Sequence, residues 1–545
     1  MRPGARSRLP TTGNGRADST GRALFCGERS DPVRHPPSVT AVPSPDARSP
    51  AAAATERRAL REHLWLVSLF TLSRAGLWLA GLRHNFDLGW MWLADPADLR
   101  THLLRTLYYF HAFPPGMNLL TGLLLKLGGA HAATLALVAF WALGLLLSNA
   151  LFYLCRSTGL SFAVSLLLSV VFSLTPQAIY FEHLYLYEAP IAALVCSAAL
   201  FFFRAVLRSS SWSWCAFFLC CAAIGLTRST FHLLWFVAMV GLAGWFSPRE
   251  RWRKILAAAA VPGLLLLSLY LKNWAVFGIF DAFSFGPVSL NLVTTQQLSK
   301  PERDAWIAEH RLSPFAALGV FAGPREYLPY FPGPDNPAFP PELSRLERPS
   351  LGAPNFNHWL YLQAMPTRKK DAYEYVRERP FAYLSTVFRG LADVFSPSTT
   401  WHPRDTSADS PHYQHRQVLG GYERFYNRFV HRFPVAPIGL YIFLPIVLAW
   451  AIWRAQTLGR FADSERRALG ALLWFCVLQI AYVVFASTVF TFHESARYRY
   501  QIESLIWLLT ALAIQHTWRK LNPPSSASFA LENEHAGRDG TGSER

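Results

Sequence analysis

Charged side chains are what this sequence has least of. Asp, Glu, Lys and Arg make up 16% of its 545 residues, against roughly a quarter in an ordinary soluble domain, and that shortage is membrane-protein composition. Neither GxGxxG nor a P-loop occurs, so nothing marks a nucleotide site. The seven cysteines (Cys26, Cys155, Cys196, Cys215, Cys220, Cys221 and Cys476) fall almost wholly inside apolar runs. None lies in a long polar loop or at CxxC spacing, so they read as small apolar fillers, with no disulfide framework and no zinc. No internal repeat is found, which disfavours the inverted-repeat design of many transporters. The first apolar run starts only near Leu64, too far from Met1 for a signal peptide.

What the chain does have is apolar length. Hydrophobic residues reach 52% and aromatics 14%, as expected where rings line two membrane interfaces. The formal charge of +17 comes from Arg gathered in the N-terminal tail and in short loops between apolar runs. That is the positive-inside pattern of a multi-pass protein, and it makes nucleic-acid binding improbable. Residues 1–61 and 519–545 are polar and without apolar period, so both are expected to be disordered tails.

Between the tails, apolar runs near 64–82, 132–155, 160–180, 188–206, 212–227, 230–247, 254–272, 436–454, 467–490 and 501–517 predict an all-α polytopic membrane protein of about ten transmembrane helices. Placing Arg204, Arg208, the Arg249–Lys254 cluster and the Arg454–Arg467 loop in the cytoplasm puts both termini there too. Strict alternation then leaves an outside first loop, 83–131, and makes the short run Met117–Leu127 a re-entrant or interfacial helix. Residues 62–272 form a seven-helix core, 273–435 an extracytoplasmic cap loop, and 436–518 three further crossings. Multi-pass insertion in a bacterial-type inner (plasma) membrane follows.

This parity collects polar residues on the outside face: Asp87, Asp95, Asp98 and His111 in the first loop, Glu182, His183 and Glu188 in the second, Thr227 and Arg228 in the third. Lys272 and Asn273 at the seventh exit join them, with His493, Glu494, Arg497 and Arg499 before the last helix. Ionisable groups at helix ends are costly in lipid unless they face a water-filled cleft, so their collection marks a candidate site. In HAFPPGMNLL the Pro114–Pro115 pair starts a helix and holds His111 at the membrane surface. In ARYRY, Arg497 and Arg499 alternate with Tyr498 and Tyr500, an arrangement suited to gripping a lipid phosphate, or else to anchoring a helix at the interface. NFNHW (Asn355–Trp359) in the cap is a candidate sugar-stacking patch or a packed surface segment.

An acidic first loop, a following xPP segment, seven core crossings and a large loop together resemble the GT-C superfamily of integral-membrane glycosyltransferases. These enzymes depend on polyprenyl-phosphate-linked sugars and include protein O-mannosyltransferases and the aminoarabinose transferase of lipid A. The resemblance spans roughly Leu64–Trp518. It implies that a first-loop acid, Asp87 with Asp95 and Asp98 as rivals, is the catalytic base or metal-binding carboxylate. It implies also that His111, Arg228, Lys272, Arg497 and Arg499 contact the donor phosphate, and that Glu182 and Glu188 orient the acceptor or hold a divalent cation. The implied partners are a polyprenyl-phosphate-linked sugar donor, a lipid or glycan acceptor and membrane lipids. Two departures are plain: Phe113 stands directly before Pro114, where the family often has a basic or polar residue, and the familiar paired Asp-Glu is missing. A lipid or sugar transporter, or an inactive scaffold of the same fold, are the competing readings.

Overall fold

The computed structural model describes residues 50–331, 339–400, 411–430, 443–459, 463–492 and 494–522. The chain divides into Met1–Arg57 and Arg58–Arg545; of the first part only the helical residues 50–57 are described. Helix α1 (Pro50–Leu79) therefore starts inside the stretch expected to be tail. The C-terminal stretch expected to be tail likewise begins inside a helix, which runs to Leu521; residues 1–49 and 523–545, His493 and the start of the predicted run 436–454 lie outside the described residues.

The fold is almost wholly helical. After α1 come α2 (Pro96–Thr101), α3 (Leu103–Tyr108), α4 (Gly116–Gly128), α5 (Ala132–Ser157), α6 (Phe162–Ser173), α7 (Pro176–His183), α8 (Glu188–Arg208), α9 (Ser211–Thr227), α10 (Leu233–Trp245) and α11 (Trp252–Phe277). The segment that follows holds short helices α12 (Gly286–Leu292), α13 (Lys300–Ala308), α14 (Pro324–Tyr327) and α15 (Pro341–Ser344), then α16 (Leu360–Glu378), α17 (Pro380–Asp393) and α18 (Pro411–Val430). Helices α19 (Leu444–Leu458), α20 (Ser464–Phe490) and α21 (Ser495–Leu521) close the chain. Glu347–Arg348 and Ala353–Pro354 pair as a two-residue antiparallel ladder.

Among the described residues four helical stretches are long and apolar enough to cross a membrane: Gly116–Ser157, Glu188–Arg208, Arg249–Phe277 and Ser464–Phe490. The pair α6 and α7 makes a fifth if its 55° bend lies within one span. The chain is thus a helical membrane protein, with fewer long apolar helices than the ten expected. Length and charge explain the difference. Helices α9, α10 and α19 have 17, 13 and 15 residues, short of the ~20 that cross a hydrocarbon core. Helix α1 carries Arg74, and α21 carries Arg497, Arg499 and Glu503, which dilute otherwise apolar runs.

Two breaks shape the core. The single run expected over 160–180 bends because Thr175 caps α7 while Pro176, lacking an N–H, occupies its first turn. Gly129, at φ +52° and ψ −118°, ends α4 in backbone that a side chain disfavours. The Gly116–Ser157 stretch is consequently two helices. The Thr121 hydroxyl of α4 meets Tyr185 Oη at 2.9 Å, and Phe140 of α5 packs on the same Tyr185 ring at 5.3 Å, so α4 folds back beside α5. At 13 residues α4 is about 20 Å long, too short for a crossing.

The main apolar core joins α5, α8, α9, α11, α20 and α21 around Phe140, Leu151, Phe202, Phe217 and Leu505. A second core is built jointly by the first loop (Leu99, Leu103, Phe110) and the 273–400 segment (Phe285, Val288, Leu360, Tyr361). The first loop and the cap therefore fold as one body.

Helix α1 is tied to α7 by a buried ion pair. Arg74 donates through Nε and Nη2 to both oxygens of Glu182 at 2.8 and 2.5 Å and through Nη2 to the Ser173 carbonyl at 2.8 Å. Breaking such a pair from one side leaves a stranded buried charge, a loss of about 3–5 kcal/mol. Arg74→Met should therefore lower the melting temperature of the purified protein sharply, and Arg74→Met/Glu182→Gln should recover most of the loss. Equal melting of the single and double variants would show that the pair does not hold α1.

Candidate functional site

The predicted site residues divide into three places. At the first, Glu188 opens α8, Arg228 ends α9 and Arg497 sits in the first turn of α21. Glu188 Oε1 lies 3.1 Å from Arg228 Nη1 and 3.2 Å from Arg497 Nε. Arg497 also reaches Glu494 at 2.8 Å and donates to Tyr187 Oη at 3.1 Å. The Arg228 guanidinium is sandwiched 4.0 Å from the Tyr187 ring centroid and 3.8 Å from that of Tyr498, a cation–π arrangement strengthened by exclusion of water. Arg228 is 3% exposed and Glu188 fully buried. Arg228 Nε and Nη2 and Glu188 Oε2 have no hydrogen-bond partner among the described residues. Two cations share one buried carboxylate, and donors remain to be used.

The first loop covers this cluster. Trp90 and Trp92 stack at 4.8 Å, and Trp92 packs on Tyr187 at 5.1 Å. Gly116, directly after the double proline, meets the end of α9 so closely that a Cβ would sit 2.7 Å from the Leu226 carbonyl oxygen and 2.8 Å from Thr227 Cα. The HAFPPG segment and the end of α9, which carries Thr227 and Arg228, thus join beside Arg228.

The second place is the junction of first loop and cap, where most of the predicted acids are engaged. Asp95 caps α2, accepting from Ala97 N at 2.8 Å, and takes the Ser350 N–H and hydroxyl on its other oxygen at 2.9 Å each. Asp98 pairs with Arg345 at 3.0 Å. Both line a small cavity of about 20 Å³ with Glu342 and Arg348, room for little more than a water. Arg348 Nη1 and Nη2 donate to the carbonyls of Leu88, Gly89, Trp90 and Leu93, clamping the loop backbone. Asp87 alone is exposed, its Oδ1 accepting the Gly89 N–H at 2.7 Å within its own turn.

His111 belongs to this junction too. It is fully buried, with Nδ1 2.8 Å from Ser284 Oγ and its backbone N–H donating to Asn357 Oδ1 at 2.8 Å. Burial first, and the Lys272 charge second, push its pKa down to about 3, so at neutral pH it carries no charge to offer a phosphate. Lys272 Nζ is spent on the Phe110 carbonyl at 2.6 Å. Of NFNHW, Asn355, Asn357 and His358 bind backbone of the first loop and cap, and Trp359 stacks on Phe339. The patch is a hub of loop–cap hydrogen bonds, not an open stacking surface.

The third place is deeper along α21. Arg499 donates to the carbonyls of Val394 and Ser396 and to Ser398 Oγ, holding the end of α17, and lies 4.0 Å from Glu503. Glu503 in turn accepts from Gln177 at 2.6 Å. Arg499 is therefore a structural clamp, whereas Arg497, two residues earlier, faces the Glu188 cluster. Glu182 and Glu188, considered as cation ligands, each face guanidinium groups that would repel a metal. Among the described residues no group of three or more His, Cys, Asp or Glu could hold a metal ion.

Sequence reading did not single out Arg74, Arg345, Arg348 or Glu503. Arg74 had a visible signal, a lone guanidinium inside an apolar run; the cap arginines had none, because their partners lie some 250 residues away. No protein-family model matches the chain, and no curated protein matches it.

Two measurements follow. His111, depressed to about 3, and His84, depressed by burial to about 4, bind protons less readily folded than unfolded. Stability they contribute is complete above about pH 6.5 and is lost as pH falls from there toward the folded values. The melting temperature should drop by several degrees between pH 7.5 and 5.5, and less so in His111→Asn; an identical slope would remove His111 from this role. Gly116→Ala, which drives a Cβ into α9 backbone, should destabilise by about 1–3 kcal/mol, read as a lowered melting temperature, while Gly241→Ala, at an open helical position of α10, should cost nothing.

Proposed function

We propose that this protein is a GT-C-like membrane glycosyltransferase. It moves a sugar from a polyprenyl-phosphate carrier to a lipid, polysaccharide or protein acceptor on the extracytoplasmic face. The finer topology belongs to the same reading: ten crossings, both termini cytoplasmic, and 273–435 as an extracytoplasmic cap. The resemblance supplies the class, and one observation carries it: two guanidinium groups, Arg228 and Arg497, converge on a single buried carboxylate, with Arg228 N–H donors unsatisfied.

A phosphate leaving group needs fixed positive charge as the sugar C1–O bond breaks. Arg228 and Arg497 are that charge. Glu188 holds both side chains in place, and Tyr187 and Tyr498 exclude water around them. The Trp90–Trp92 stack over Tyr187 acts as a lid that lifts for the carrier phosphate. The acceptor hydroxyl gives its proton to Asp87, the one first-loop acid whose carboxylate is exposed and outside any ion pair among the described residues. Asp95 and Asp98 serve a different purpose, fixing the loop to the cap. Glu182 belongs to the Arg74 tie, and no step requires a divalent cation.

Lipid analysis tests this reading. Cells lacking the protein should lose one sugar-modified lipid or glycan. Wild type restores it; Asp87→Asn and Arg228→Gln at matched expression do not. Each variant should lower transfer at least ~100-fold, the scale of a lost general base or transition-state hydrogen bond. Asp98→Asn, which breaks a part-exposed pair, should retain most activity. An unchanged glycan profile, or full rescue by every variant, favours the transporter or scaffold reading.

A further inference from the structure

At the far end of α10 and α11 from Arg228 lies a second cationic feature that the transferase reading does not use. A cavity of about 570 Å³ is lined by Trp245, Phe246, Ser247, Arg249, Trp252 and Arg467. Helix α10 ends at Trp245 and α11 begins at Trp252, so the tight connection between them forms one wall; the first turn of α20 brings Arg467 to the other. Arg467 Nε is buried with no hydrogen-bond partner among the described residues. Neither Arg249 nor Arg467 makes an ion pair among the described residues, and the nearby carboxylate Asp463 is already taken by Arg466 at 3.3 Å and by the cap of α20.

We propose that this cavity binds the headgroup phosphate of an anionic membrane phospholipid. Two guanidinium groups in no ion pair among the described residues suit a phosphate diester, and the Ser247 hydroxyl adds a donor. A soluble phosphate would need nothing more. The surroundings, however, are those of a lipid: Trp245 and Trp252 are 59% and 44% exposed at the ends of their helices, where indoles sit at headgroup level. From the cavity the face of α11 continues as exposed Leu256, Val261, Leu264 and Leu265, an apolar track along which an acyl chain lies. Helix α11 is 26 residues, about 39 Å, so the site sits across the bilayer from the Arg228 cluster. Anionic lipid is concentrated in the leaflet facing a protein's basic loops.

Native mass spectrometry of the full chain in detergent tests this without reference to transfer activity. Phosphatidylglycerol should stay bound at about tenfold lower concentration than phosphatidylcholine of the same chains, because both carry the phosphate diester but the choline cation is repelled by the two guanidinium groups. Arg249→Gln/Arg467→Gln should abolish that preference. Arg251→Gln/Arg253→Gln, which removes equal charge just beside the cavity, should keep it. Equal retention of the two lipids by wild type would overturn the proposal whatever the variants do. So would an equal loss in both double variants, which would indicate a diffuse basic surface. Displacement of phosphatidylglycerol by millimolar inorganic phosphate would instead indicate a soluble-anion site and overturn the lipid assignment.

Discussion

A buried charge in an apolar protein must find an opposite charge or be lost to protonation, and Glu188 meets that constraint with a single oxygen shared by Arg228 and Arg497. Three helix ends depend on it. Helix α8 starts there, α9 ends there and α21 enters there, so the carboxylate fixes the mutual position of elements separated by three hundred residues. Arg74–Glu182 repeats the solution one step away, tying α1 to α7. Tyr500 lies between the systems, close enough to feel Glu182, Glu503, Arg74 and Glu188 together. The polar interior of this protein is thus largely a chain of compensated charges, and the donors of Arg228 that no described residue satisfies fall under the first loop.

The first loop and the cap are inseparable for a related reason. The loop is rich in backbone carbonyls that no regular element satisfies. Arg348, reaching back from the cap, satisfies four of them, while Asn357 takes the His111 and Ala112 N–H groups. The apolar contribution is shared as well, with Leu99 and Phe110 packed among Phe285 and Tyr361. The same contacts fix the backbone around the Trp90–Trp92 stack, which rests on Tyr187.

Much of this was legible in the residues. The apolar runs at 132–155, 188–206 and 467–490 became α5, α8 and α20 almost to the residue, because long apolar stretches leave the backbone no alternative to a helix. The short helix after Pro114 and Pro115 followed from the proline pair, and Glu188, Arg228 and Arg497 were expected at helix ends; that one carboxylate takes both guanidinium groups was not. Less legible were the partners. Nothing local in LADPADL says that Asp95 will cap a helix and bind Ser350, or that Asp98 will meet Arg345. The same holds for His111 and Arg499, whose roles are decided by Ser284, Asn357, Val394 and Ser396, all remote in sequence. Local chemistry shows what a side chain can do, and long-range packing decides whether it is free to do it.

The central claim is that the Arg228–Glu188–Arg497 cluster receives a lipid phosphate. Its most direct test is equilibrium binding of a short-chain polyprenyl phosphate, against the alcohol of the same chain, to the purified wild-type protein and to Arg228→Gln. Wild type should prefer the phosphate by roughly 10- to 100-fold, the value of one charge-assisted hydrogen bond, and Arg228→Gln should bind phosphate and alcohol alike. Equal binding of the two ligands by wild type, or an undiminished phosphate preference in Arg228→Gln, would contradict it.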